Sequence, residues 1–190
     1  MNSKEDARVV RTKSKLLETF KSLLCERSFE KISVQEICEA AGVKRATFYK
    51  HFEDKYAFLK YFVGSLRDSF DTRITKEIKP DATSAYYVEY IGAIVNFLAE
   101  NEKMVKNALE SEVFFSLLEV IKEKNYEDTC ERLSKSVADG MVLSSSVEIT
   151  ASMMTGAVAN AIIFWFKSGK KMSVNTLIKE VSGVIESITA

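Results

Sequence analysis

Ile32-Ser33-Val34-Gln35-Glu36-Ile37-Cys38-Glu39-Ala40-Ala41-Gly42-Val43-Lys44-Arg45-Ala46-Thr47-Phe48-Tyr49-Lys50-His51-Phe52-Glu53-Asp54-Lys55 spells two short helices and the turn that joins them. Ser33 and Glu36 read as a capping box: the serine oxygen accepts a free amide of the first turn, and Glu36 reaches back. The helix this opens presents Val34, Ile37 and Ala41 inward and stops at Gly42, which supplies a left-handed residue at little cost. A second short helix is expected over residues 44–52, with Phe48 and Phe52 four apart on one face. The helix bears Lys44, Arg45, Thr47, Tyr49, Lys50 and His51, with the two phenylalanines left to pack behind. Asp54 suits the positive N-terminal end of the helix that follows.

Upstream, Leu16, Leu17, Phe20, Leu23 and Leu24 predict an amphipathic helix over residues 11–26, with Lys15, Glu18 and Lys21 opposite. Residues 1–10 read as a polar, loose lead-in, and Phe29 and Ile32 punctuate the loop before the capping box. Three short helices, the last two joined by a tight glycine turn, describe a helix-turn-helix. The second helix of such an element fits the major groove and offers its first turns to base edges. Cations and hydroxyls on one face, with aromatics behind, are what a phosphate-lined groove requires. Taken alone, the same residues also fit a solvated basic helix with no partner.

Downstream, Phe58, Phe62, Leu66 and Phe70 recur every four residues in a helix expected over 54–79 and stopped by Pro80. Further helices are expected over 84–100, over 103–124 with a break near Ser111, and over 127–139, 146–168 and 174–188, the last after Ser173 as N-cap. Only 7 Gly and 1 Pro occur in 190 residues, too few for the tight turns of a sheet protein, so the fold class is all-α. With 46% hydrophobic residues, the chain has enough apolar side chains to bury a core. The division expected is a helix-turn-helix domain over residues 1–55 and a larger helical domain over 56–190.

Charge separates along the chain: residues 1–60 carry 13 basic and 9 acidic side chains, and the remainder carries 14 and 18. That asymmetry points to a polyanionic partner for the N-terminal part alone. Cys25, Cys38 and Cys130 are odd in number and widely spaced, so a zinc site and a disulfide framework are excluded and reduced thiols are expected. The N-terminus has no apolar stretch like a signal peptide. Residues 149–166 are uncharged, but Thr150, Ser152, Thr155 and Asn160 interrupt them, and a buried helix is expected rather than a membrane span. His51 is the lone histidine, with no nucleophile motif beside it, and no phosphate-cradling glycine loop occurs, so no enzyme activity, metal or cofactor is expected.

Over residues 10–60 the chain resembles the DNA-binding domain of the TetR/AcrR family of transcriptional regulators, on the stretch 32–55 quoted above. Ala41-Gly42-Val43, the run from Thr47 to Phe52, and Asp54-Lys55 carry the resemblance; past residue 60 it is architectural. The resemblance implies a cytoplasmic, ligand-responsive homodimeric repressor that binds a palindromic DNA operator. It implies that Arg45, Thr47 and Lys50 face base edges, Arg45 bidentate to guanine, while Ser33, Tyr49, His51 and Lys55 grip phosphates. Lys44 stands where many members carry a serine cap, exchanging the cap for a cation that reaches a base or phosphate. Basic Lys4, Arg8, Arg11 and Lys13 are expected to form an arm into the neighbouring minor groove. In the family the larger domain encloses a small-molecule pocket; Phe62, Tyr86, Tyr90, Phe114, Leu118 and Met153 are its expected walls, for an apolar or aromatic effector.

A lone helix-turn-helix makes few contacts, which dimers remedy by reading two half-sites in phase. Ser152, Gly156 and Asn160 lie four apart, with Ala157 and Ala161 as a parallel row, giving a strip on which another helix approaches closely. The last helix carries the apolar set Val174, Leu177, Ile178, Val181, Val184, Ile185 and Ile188. The expected dimer interface therefore includes Ser152, Gly156, Asn160, Val181 and Ile185. Two other readings stand beside the repressor: a non-specific DNA binder, and a helical small-molecule sensor without a working DNA element.

Overall fold

The computed structural model describes residues 3–77 and 83–189, and every described element is helical. The helix stop expected at Pro80 lies outside the described residues. Two compact units divide the chain: Met1–Ser65 with Asn101–Leu117, and Leu66–Glu100 with Leu118–Ala190. A boundary at residue 55 is thus not where the contacts divide; the first unit runs further and takes in a later segment.

The first unit begins with α1, Ser3–Glu26. The helix starts eight residues before the expected position at 11, so the lead-in is not loose. Lys, Glu, Ala and Arg are good helix formers. A 3-10 turn, Phe29–Lys31, leads to α2, Val34–Ala41, and then to α3, Arg45–Tyr49. Ser33 caps α2 with both halves of the capping box formed, and Gly42 ends it at φ 64° and ψ 35°. The third helix is shorter than expected because the chain tightens at once, His51 N donating to Phe48 O at 2.9 Å. That turn brings Phe52 back under the unit, where it is 6% exposed.

Helix α4, Lys55–Glu77, opens on Asp54, whose Oδ1 accepts from the amides of Tyr56 at 2.9 Å and Ala57 at 2.7 Å. Phe58 is the hub of the first unit's core, with ring centroids 5.1 Å from Phe20, 5.3 Å from Phe48 and 4.8 Å from Phe52. Such tilted and edge-on ring pairs add to the area they bury. Helix α6, Glu102–Leu109, packs on α1, burying Met104 and Val105, and Asn107 Nδ2 donates to Leu24 O at 2.8 Å. Helix α7 starts at Phe114 after the break expected near Ser111. There Glu30 accepts from Ser111 Oγ at 2.5 Å and from the Glu112 amide at 3.0 Å.

The second unit holds α5, Thr83–Glu100, most of α7, Phe114–Ala138, then α8, Val147–Lys167, and α9, Val174–Thr189. The expected break between 124 and 127 is absent: Asn125 and Tyr126 are poor helix formers, not breakers. The core gathers Tyr87, Ile91 and Val95 of α5, Leu133 of α7, Met154 and Trp165 of α8, and Leu177, Val181 and Ile185 of α9. Trp165 Nε1 donates to Met172 O at 2.9 Å, fixing the turn between α8 and α9. Helix α8 departs from the buried helix expected. It buries Thr150, Ala151, Met154 and Trp165 along one side, while Ile149, Met153 and Phe164 are more than half exposed on another. By length and composition alone, Val147–Lys167 would also cross a membrane.

Candidate nucleic-acid interface

Helix α3 is positioned by its buried side. Phe48 is fully buried against Phe52 and Phe58, which turns Lys44, Arg45, Tyr49 and Lys50 outward to solvent. Thr47 and His51 are half-buried at the margins of that face. Lys44 is the N-cap and makes no side-chain cap bond, so its ammonium is left to the exposed surface. The Arg45 guanidinium lies 5.9 Å from the centre of the Tyr49 ring. The neighbouring Tyr49 hydroxyl holds the Arg45 pKa above its usual value. The His51 ring sits 6.2 Å from that of Phe52. Six of the eight residues expected on DNA, Lys44, Arg45, Thr47, Tyr49, Lys50 and His51, therefore come together on or beside one short helix.

The other two are used inside the chain. Ser33 Oγ accepts from the Glu36 amide at 3.2 Å and donates its proton to Glu36 Oε2 at 2.8 Å. Arg27 holds the same carboxylate at 3.1 Å. Donation from the Ser33 amide, then from its hydroxyl, keeps the Glu36 pKa below the usual carboxylate value. The Ser33 hydroxyl proton is committed to the cap rather than free for a phosphate. Lys55 is the clearer correction. Its Nζ donates to the carbonyls of Phe29, Glu30 and Ile32, each at 3.2 Å, and lies 4.5 Å from the centre of the Phe29 ring. All three ammonium protons are spent on backbone, so Lys55 is a staple of the fold and not a phosphate grip.

The expected minor-groove arm is corrected as well. Lys4, Arg8, Arg11 and Lys13 lie within α1, and a helix about 10–12 Å across does not enter a minor groove about 6 Å wide. Lys13 is engaged elsewhere, its Nζ 4.7 Å from the centre of the Tyr61 ring. Arg8 and Arg11 remain exposed on the helix.

The expected pocket walls do not form one group. Phe62 is buried in the first unit with its ring 5.3 Å from Phe20, Phe114 also belongs to that unit, and Met153 is 55% exposed on α8. Tyr86 and Tyr90 do meet, stacked at 5.6 Å and 15° in the second unit, where Leu118 is half-buried. They belong to a polar cluster the sequence reading missed. Tyr86 donates to Asp71 Oδ1 at 2.7 Å, Arg132 pairs with Asp71 and lies 3.7 Å from the centre of the Tyr86 ring, and Arg67 pairs with Asp128. Burial pushes the Tyr87 and Tyr90 pKa values up to about 12, so both phenols stay neutral at ordinary pH. The cluster joins residues 61 apart in sequence, a separation that no local pattern signals.

Of the expected dimer residues, Ser152 and Asn160 are exposed and Gly156 is half-exposed. Val181 and Ile185 are 8% and 1% exposed inside the chain's own core, so they are not available to a second copy. The outward residue of that helix is Val184, 50% exposed.

Comparison with known proteins adds three findings. A model of the N-terminal region of bacterial regulatory proteins of the tetR family matches residues 16–62. The HTH-type transcriptional repressor KstR2 of Rhodococcus jostii is 26% identical over 185 residues, covering 91% of this chain and 88% of the relative. Among solved structures, a protein of Rhodococcus sp. classed with TetR-family regulators superposes with a TM-score of 0.75 at 17% identity, over 95% of this chain and all of that one. The fatty acid degradation regulator FadR of Bacillus halodurans superposes at 0.66 with 18% identity, over 90% of this chain and 96% of its own. The structural likenesses carry the fold.

Proposed function

Because the chain belongs to the TetR family of transcriptional regulators, we propose that it is a homodimeric repressor that reads a palindromic operator with α3. The observation that carries this reading is the outward face of α3, where Lys44, Arg45, Tyr49 and Lys50 stand free of the core that Phe48 anchors. Arg45, Thr47 and Lys50 read base edges, and Lys44 and His51 meet phosphate or flanking bases. Repression rather than activation follows the curated relative, which is a repressor. The protein acts in the cytoplasm and catalyses no reaction.

Dimerisation is supported by the uncovered side of α8, where Ile149, Met153 and Phe164 are 54%, 55% and 67% exposed beside Ser152, Gly156 and Asn160. An apolar strip of that kind marks an interaction surface, and a second copy of the same strip satisfies it with two-fold symmetry. Response to an apolar or aromatic effector is supported by the stacked tyrosines of the second unit, Tyr86 and Tyr90, and by the Arg132 cation over the Tyr86 ring.

The test is a substitution on the reading face. Arg45→Ala costs about 1–3 kcal/mol on the operator and relaxes preference at one base pair per half-site. Binding to random duplex, measured by anisotropy at the same salt, falls much less. Equal losses on both duplexes overturn the assignment and favour a non-specific binder.

A further inference from the structure

We propose that Tyr49 is a specificity-determining positioning residue, its ring holding the Arg45 guanidinium in the orientation that reads a base pair. The inference rests on the reading of α3 as the recognition helix. It departs from the phosphate grip that the resemblance implies for this tyrosine.

Arg45 and Tyr49 stand at i and i+4, so their side chains share one face of α3. The guanidinium carbon is 5.9 Å from the Tyr49 ring centre, within the range at which a planar cation is drawn to an aromatic face. The ring is itself held. Its centroid is 5.5 Å from that of Phe48 at 84°, an edge-on contact, and Phe48 is fully buried. A chain of contact thus runs from the core of the first unit, through Phe48 and Tyr49, to Arg45 at the surface. Among the described residues, no ion pair holds the guanidinium by a carboxylate. A carboxylate clamp would have to be broken before DNA is read. Tyr49 limits the directions of the guanidinium through its ring and the hydroxyl beside it, and leaves the remaining N–H donors facing outward.

Base readout needs that limit. Bidentate recognition of one base edge depends on the angle of the planar fork, and an arginine free in solvent gives up rotamer freedom when it docks. An arginine already resting on a ring gives up less, and only in the register that the ring allows. Tyr49 in this role acts on discrimination between sequences, whereas a phosphate grip acts on all sequences alike.

In vitro selection from a random duplex library, followed by affinity measurement at fixed salt, separates these roles. The proteins compared are the full-length chain, Tyr49→Leu, Tyr49→Phe, Arg45→Ala, and Arg45→Ala combined with Tyr49→Leu. The expected result is that Tyr49→Leu reduces discrimination about tenfold at the base pair that Arg45→Ala relaxes. Its random-duplex affinity changes by less than about twofold. Tyr49→Phe keeps the ring but loses the hydroxyl beside the guanidinium, so it retains part of the preference that Tyr49→Leu loses, and in the Arg45→Ala background Tyr49→Leu removes nothing more. A uniform loss on every sequence for both Tyr49→Leu and Tyr49→Phe overturns the proposal, as does a loss of preference that adds to that of Arg45→Ala. If the unsubstituted chain selects no sequence, the recognition-helix reading fails and the inference falls with it.

Discussion

Gly156→Arg yields a folded monomer with operator binding reduced about 10²–10³-fold, although every residue of α3 is untouched. Within one chain the substitution is mild. A Cβ built at Gly156 meets nothing within 4 Å, and a helical glycine replaced by arginine gains helix propensity of about 0.8–1 kcal/mol. The melting point of the single chain therefore does not fall. The cost arises only where a second copy closes on α8, because the long charged side chain enters a seam flanked by Met153 and Phe164. Loss of the dimer turns two linked half-site contacts into separate events, and the effective concentration that links them disappears. Light scattering and operator titration on the same sample check both halves of the expectation. A variant that remains dimeric and binds normally places the interface elsewhere.

Lys55→Met destabilises the first unit by about 3 kcal/mol and leaves the salt dependence of DNA binding unchanged. The side chain keeps much of its volume and its contact with Phe29, but the carbonyls of Phe29, Glu30 and Ile32 lose their shared donor. These carbonyls belong to the 3-10 turn and its exit, the connection that orients α2, so the loss is felt beneath the reading helix. Urea unfolding measures the stability, and a titration across salt concentrations measures the slope. A fall of about one in that slope, at unchanged stability, would instead make Lys55 a phosphate contact.

Local chemistry made much of this architecture legible before any coordinates. The Ser33–Glu36 capping box, the left-handed Gly42, the Asp54 cap and the Ser173 cap each act within four residues, and each stands in the structure where it was read. The spacing of Phe48 and Phe52, and of Phe58 and Phe62 on the next helix, marked core residues correctly, while Leu66 and Phe70 further along that second series are half-buried. The misreadings share a cause. Lys55 looks like a free cation until the fold brings carbonyls from 23 to 26 residues away onto its ammonium. The α9 stripe is wider than one contact face, and periodicity does not say which part turns inward; the core took Val181 and Ile185 and left Val184 outside. Phe62 and Met153 both looked suited to a pocket, yet one is packed in the first unit and the other faces solvent. The Asp71–Arg132–Tyr86 cluster depends on three helices meeting, which no single stretch encodes.

Competition between a selected operator and random duplex, at one fixed salt concentration, decides whether α3 reads sequence. The full-length chain is expected to prefer its selected site by about 10³-fold or more, with the preference falling in Arg45→Ala. Affinity for the two duplexes equal within about threefold, or no salt-dependent affinity for either, would contradict it.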